Sequence, residues 1–247
     1  MIYVTGDVHA MWEDWENWEN TTPLKLTAED TVIVCGDFGI GMRKDWQTAD
    51  AAFFDHISRQ PYTLLFLDGN HENFDVLNSL PETRRYGGRV HRIRPNLLHL
   101  MRGEVYDLEG SRVFVMGGGF SQDRFRRREG TGWWPAELPC HEEYENARAN
   151  LERVGYAVDC ILTHTAPFET VRMALAPRLH FSPTPEEEAL TGFLGDVHAL
   201  CSGYRHWYFG HFHADLELWR NQTALFGAVR ELTTGAVRAV RPSALGE

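Results

Sequence analysis

The sequence predicts an α/β protein with a mixed sheet, or two sheets packed together and covered by helices. Three observations predict it. Short apolar runs of strand length alternate with helical periodicity through the first half of the chain. The last third closes in short β-like runs separated by turn residues. The chain has 247 residues, 43% of them hydrophobic, enough for a sizeable core, and no linker long enough to divide it, so one domain over 1–247 is expected.

The elements follow in order. Residues 2–5 (IYVT) form a short apolar strand. Trp12, Trp15 and Trp18 recur at helical spacing with Glu13, Glu16 and Glu19, which predicts a helix. Residues 31–35 (TVIVC) are a buried strand, 45–59 a helix and 62–67 (YTLLFL) another buried strand. A short helix over 73–80 is stopped by Pro81. Residues 97–101, 104–108 and 112–116 read as a meander of strands. A helix over 141–154, a strand over 159–163, a helix over 186–200 and a strand over 205–209 follow. Residues 216–220, 223–226 and 229–233 read as closing hairpin strands.

The formal charge is −11, from 24 Lys plus Arg against 35 Asp plus Glu. That balance argues against a sequence-independent nucleic-acid coat, which needs a basic surface, so no extended nucleic-acid surface is expected. No apolar run approaches the roughly 18 residues of a membrane helix, so no membrane role is expected. The start, MIYVTGD, lacks the pattern of a signal peptide. Four well-separated cysteines show no CxxC, and a cytoplasmic, reducing location is the simplest expectation.

Several strands end in the same way. The apolar run gives way to a turn, often with glycine, and then to a side chain able to bind a metal. Residues 2–5 lead to Gly6-Asp7-Val8-His9, and 31–35 to Gly36-Asp37. Residues 62–67 lead to Asp68-Gly69-Asn70-His71-Glu72, 159–163 to His164, and 205–209 to Gly210-His211-Phe212-His213. Ligands of open α/β sheets bind outside the carboxyl ends of the strands, so five strand ends deliver donors to one crest. The candidate donors are Asp7, His9, Asp37, Asn70, His164, His211 and His213. Seven oxygen and nitrogen donors exceed one tetrahedral zinc. They suit two divalent ions sharing a carboxylate. A set of imidazole, carboxylate and amide without thiolate favours Mn²⁺, Fe or Zn²⁺, with Mn²⁺ the leading expectation.

In this order of blocks the chain resembles the calcineurin-like metallophosphoesterase superfamily, over residues 6–213. The resemblance implies a β-sandwich of mixed sheets flanked by helices. It implies one metal held by Asp7, His9, Asp37 and His213 and a second by Asp37, Asn70, His164 and His211, with Asp37 bridging. It also implies a dimetal-dependent hydrolase of phosphomonoesters or phosphodiesters, in which His71 is the general acid or a transition-state hydrogen-bond donor. The GDFG block is similar to small bacterial and phage-type members. One departure stands out. Many relatives read GDxxD, with the second Asp supporting the catalytic histidine, whereas Ile40 stands there in this chain.

Competing readings attach to the remaining motifs. Residues 195–199 repeat the GDVHA of residues 6–10, but Leu190, Phe193, Leu194, Val197 and Leu200 trace a helical apolar face through the second copy. Asp196 and His198 are therefore expected on a helix rather than at a metal. His56, His91, His99, His141, His180 and His206 are read as ordinary polar histidines. Arg124 and Arg127 follow the Gly117-Gly118-Gly119 run and are the candidates for a substrate phosphate, against a solvated charge run. Trp133 and Trp134 are read as core or as an aromatic wall, and the six arginines between 84 and 102 as a surface face. The alternative activities are a serine/threonine phosphoprotein phosphatase, or a metal-binding scaffold without catalysis. Because positive charge is confined to a metal-lined cleft, a small or locally presented phosphoester is the expected substrate.

Overall fold

The computed structural model describes residues 1–201 and 203–242; the rest of the expected 1–247 domain lies outside the described residues. Along the chain, β1 (Ile2–Thr5), α1 (Trp12–Thr21), β2 (Thr31–Cys35), α2 (Trp46–Ser58), β3 (Thr63–Leu67) and α3 (Phe74–Leu77) alternate. Five strands follow: β4 (Glu82–Arg85), β5 (Gly88–Arg94), β6 (Leu97–Leu100), β7 (Glu104–Leu108) and β8 (Ser111–Met116). Then come α4 (His141–Arg153), β9 (Cys160–Thr163), α5 (Phe168–Thr170), a π-helical turn (Val171–Leu175), α6 (Ala176–Leu179) and α7 (Glu188–Leu200). The described chain closes with β10 (His206–Phe209), β11 (Leu216–Glu217), β12 (Gln222–Ala224), β13 (Ala228–Glu231) and β14 (Val237–Val240).

The strands form two mixed sheets, β14-β13-β1-β2-β3-β6-β5-β4 and β11-β12-β10-β9-β8-β7. In each, a parallel centre carries antiparallel strands at its edges: β1, β2, β3 and β6 run parallel, as do β8, β9, β10 and β12. Alternation along the central strands places every second residue on the opposite face. Ile33, Leu65, Val113, Leu162 and Tyr208 fill the interior between the sheets. Val32, Val34, Leu64 and Phe66 face the other way and pack with Trp12, Trp15, Phe53 and Ile57 of α1 and α2. Phe114, Ile161, Trp207 and Phe209 do the same against Leu151, Leu194 and Val197 of α4 and α7. Three apolar layers thus lie between two sheets and two sets of helices, the expected helix-flanked sandwich.

Three expectations need correction. The 97–116 meander is divided: β6 pairs with β3 and β5 in one sheet, while β7 and β8 form a hairpin in the other. The closing strands divide likewise, β11 and β12 in one sheet, β13 and β14 in the other. The arginine-rich stretch contains the hairpin β4–β5, and Arg102 at its end is buried, bonded to Asp68 at 2.8 Å.

Candidate metal centre

Parallel strands fed from one direction end on the same side of their sheets, so β1, β2, β3, β9 and β10 bring their following loops together. The approach is close because backbone there leaves the β region. His9, Asp37, His211 and His213 have φ of 52°, 48°, 68° and 47°, in the left-handed region that non-glycine residues avoid. Such backbone concentrates at functional sites and persists only where surrounding contacts impose it. The contacts are visible: the Val8 and His9 amides donate to Asp37 O at 2.9 and 2.7 Å. The His211 amide donates to Asp7 Oδ1 at 3.1 Å, and the His71 amide to Asp37 Oδ1 at 2.7 Å.

Ligand atoms of Asp7, His9, Asp37 and His213 all lie within 4.8 Å of one another. His9 Nε2 and His213 Nε2 face each other at 3.0 Å, and Asp7 Oδ2 lies 3.1 Å from His213 Nε2. Asp7 Oδ2 is buried and has no hydrogen-bond partner among the described residues. A buried carboxylate oxygen without a donor, beside two converging imidazole nitrogens, suits a divalent cation.

Asp37 faces both ways. Its Oδ2 lies 3.7 Å from His9 Nε2, and its Oδ1 3.3 Å from His164 Nε2. His164 Nε2 is in turn 3.1 Å from Asn70 Oδ1. The third member of this second group is located by Gly119. A Cβ there would meet His164 Cδ2 at 3.0 Å, Asn70 Oδ1 at 3.1 Å and His211 Cε1 at 3.4 Å. Gly119, the last of the glycine run, is therefore a floor beneath three of the expected ligands, where a side chain would intrude. All seven predicted donors meet in one place, in two groups joined at Asp37.

The electrostatics agree with a cation site. Burial alone would raise the Asp7 carboxyl, but the imidazoles of His213, His9 and His164 hold it below the usual range. Burial would lower His164, yet Asp37 beside it pushes it up to about 10. Burial lowers His211 to about 3 and His71 to about 4, which leaves both rings neutral at pH 7.

His71, on the loop after β3, opens onto a cleft of about 430 Å³ that also exposes Asp37, Asn70, Arg127, His211 and His213. Its Nδ1 lies 3.0 Å from Arg127 Nη1. A guanidinium only donates, so Nδ1 accepts and the ring proton sits on Nε2. Arg127 is itself held by Asp123, at 2.8 Å from Nε. Arg124 takes a different course: its guanidinium stacks on Phe120 at 4.3 Å and Trp133 at 5.3 Å and pairs with Glu186 at 3.7 Å. Ile40 is buried in the core, and its amide donates to Glu72 Oε2 at 2.9 Å, alongside those of Phe38 and Gly39. Trp134 belongs to the core.

Several supporting residues carry no local signature. Ser121 Oγ accepts from Asn70 Nδ2 at 3.1 Å, which turns the amide oxygen of Asn70 toward His164. Buried Arg241 donates to the carbonyls of Gly6, Asp7 and Phe226 at 3.0, 2.8 and 2.9 Å and fixes the first loop from the far end of the chain. His99 and Arg102 hold Asp68, two residues before Asn70. In that network His91 and His99 are buried and bonded to each other at 3.0 Å. Only the unusual position of such residues, a lone Arg or Ser near a glycine run, could have hinted at them.

A sandwich of two mixed sheets with Asp, His and Asn gathered at the strand ends defines an α/β protein with a candidate metal centre. Residues 1–215 match the calcineurin-like phosphoesterases, and the chain belongs to that family, whose members are metal-dependent hydrolases of phosphoric esters. No curated protein registers as a relative by sequence. No described helix is long and apolar enough to cross a membrane.

Proposed function

We propose that the chain, as one catalytic domain, hydrolyses phosphomonoesters or phosphodiesters of small or locally presented substrates at a two-metal centre. Asp7, His9, Asp37 and His213 would hold one divalent ion; Asp37, Asn70, His164 and His211 would hold the other. The observation that carries this reading is Asp37, whose two oxygens face the two donor groups. The mixed imidazole, carboxylate and amide set makes Mn²⁺ the first choice, with Fe and Zn²⁺ next. When bound, such ions supply a nucleophile available near neutral pH and positive charge against the phosphoryl oxygens.

The protein's own part is positional. His71 lines the cleft with its Nε2–H and would donate a hydrogen bond to the leaving-group oxygen while the ring is neutral; transfer of a proton to a departing alkoxide would require the imidazolium, with Nδ1 protonated and Arg127 released from it. Arg127 keeps that tautomer by donating to Nδ1, so a cation braces the ring where many relatives use the carboxylate that Ile40 replaces. Of the two arginines expected at the phosphate, this reading favours Arg127, because it lines the cleft; Arg124 packs against Phe120 and Trp133. Four unpaired cysteines are consistent with a cytoplasmic location.

The test is turnover of aryl phosphomonoesters and phosphodiesters with Mn²⁺, in the wild type and in Asp37→Ala. Turnover that chelation abolishes and Asp37→Ala lacks is the expected result. No turnover of either ester class, or full activity in Asp37→Ala, rejects the proposal. Phosphopeptide hydrolysis in preference to both would turn it toward a protein phosphatase.

A further inference from the structure

The segment 180–188 has the composition of a loop, and nothing in it matches a metal motif. Its end nevertheless reaches the cleft. A 3₁₀ turn, Pro185–Glu187, leads into α7, and Glu186 ties it to Arg124 at 3.7 Å. Glu187 then points inward: it is 6% exposed, lines the cleft with His211, and sets its Oε1 3.5 Å from His211 Nε2. That oxygen is buried with no hydrogen-bond partner among the described residues. An unpartnered buried carboxyl oxygen is costly, and His211 Nε2 is the ring nitrogen facing it, across a gap just too long for a closed hydrogen bond.

His164 shows what such a contact does. Its Nδ1 donates to the Cys35 carbonyl at 3.0 Å, which leaves Nε2 directed at Asp37 and Asn70. Histidines that bind metals are generally held this way, one ring nitrogen donating to an oxygen and the other free for the ion. His211 has no backbone carbonyl in that role among its hydrogen bonds; the oxygen opposite its ring is Glu187 Oε1.

We propose that Glu187 is the positioning carboxylate of His211, accepting the Nε2–H when the centre is loaded and leaving Nδ1 to the metal. This rests on the two-metal reading above. Of the second ion's two imidazoles, His164 would then be braced by a carbonyl and His211 by a carboxylate, which makes its imidazole the stronger ligand. Loss of such a partner typically weakens metal binding 10–100-fold.

The test uses the full chain and Zn²⁺, which is diamagnetic. Calorimetric titration of the wild type should give two sites. In Glu187→Leu one site should weaken 10–100-fold while the other stays within threefold. Glu187→Gln, which keeps an acceptor oxygen, should recover most of the loss. Unchanged binding in Glu187→Leu, or equal loss in the Gln variant, overturns the proposal. If the Leu variant fails to fold, ¹⁵N NMR of wild-type His211 decides: the proton must be on Nε2 and the metal on Nδ1, and the reverse overturns it. Failure of the wild type to bind two ions would instead reject the two-metal reading.

Discussion

The pentapeptide Gly-Asp-Val-His-Ala occurs twice, at residues 6–10 and 195–199, and the two copies have different fates. The first follows β1, turns through left-handed backbone at His9 and Ala10, and delivers Asp7 and His9 to the donor cluster. The second lies inside α7, where Val197 joins the apolar face and Asp196 is exposed. There His198 bonds to Tyr204 at 3.0 Å and Arg220 at 2.8 Å. The second copy even lines the larger cavity, about 780 Å³ against 430 Å³. Cavity size therefore does not mark this site. What marks it is convergence: four other strand ends meet the first copy and none meets the second.

The largest effect should come from breaking the first copy. Asp7→Ala is expected to lower phosphoesterase turnover by more than the roughly 100-fold typical of residues that only orient ligands, whereas Asp196→Ala leaves turnover unchanged. Equal losses would end the distinction. Metal addition sharpens it without an assay of activity. Mn²⁺ at about 100 times its dissociation constant should stabilise the wild type by about 2.7 kcal/mol, raising the melting temperature by about 5–10 °C. The same rise should persist in the Asp196→Ala/His198→Ala double variant and vanish in Asp7→Ala/His9→Ala.

The two glycines should respond with opposite signs. A Cβ on Gly6 would lie 2.1 Å from the Leu225 carbonyl oxygen, so Gly6→Ala should cost about 1–3 kcal/mol in denaturant titration. His198→Ala should cost only about 1 kcal/mol for its lost hydrogen bonds, with turnover intact. The smallest effect is a gain. A Cβ on Gly195 meets nothing within 4 Å, so Gly195→Ala should stabilise the helix by about 0.5–1 kcal/mol. Destabilisation there would mean that the second copy does more than continue a helix.

Much of this was legible before the structure. The central strands and the helices of 12–21, 46–58, 141–153 and 188–200 follow from periodicity, because a strand buried on both faces and an amphipathic helix each leave a local pattern. The hairpin β4–β5 left none: its exposed arginines read as surface, and it is a strand only because β6 offers an edge to pair with. The division of residues 97–116 between two sheets was equally invisible, since a turn does not say to which sheet the next strand returns.

For the site, the sequence by itself supplied the seven donors, their order and their places at strand ends, because each is announced by an apolar run and the turn that ends it. Tertiary structure decided the rest. It settled which GDVHA copy meets the other donors. It placed Arg127, 56 residues from His71, against the ring. It also brought Ser121, Glu187 and Arg241 to loops far away in the chain. The physical reason is range. Backbone preference and burial act between near neighbours and are written in the local sequence. A hydrogen bond that orients a distant ligand is formed only when the two packed sheets bring its partners together.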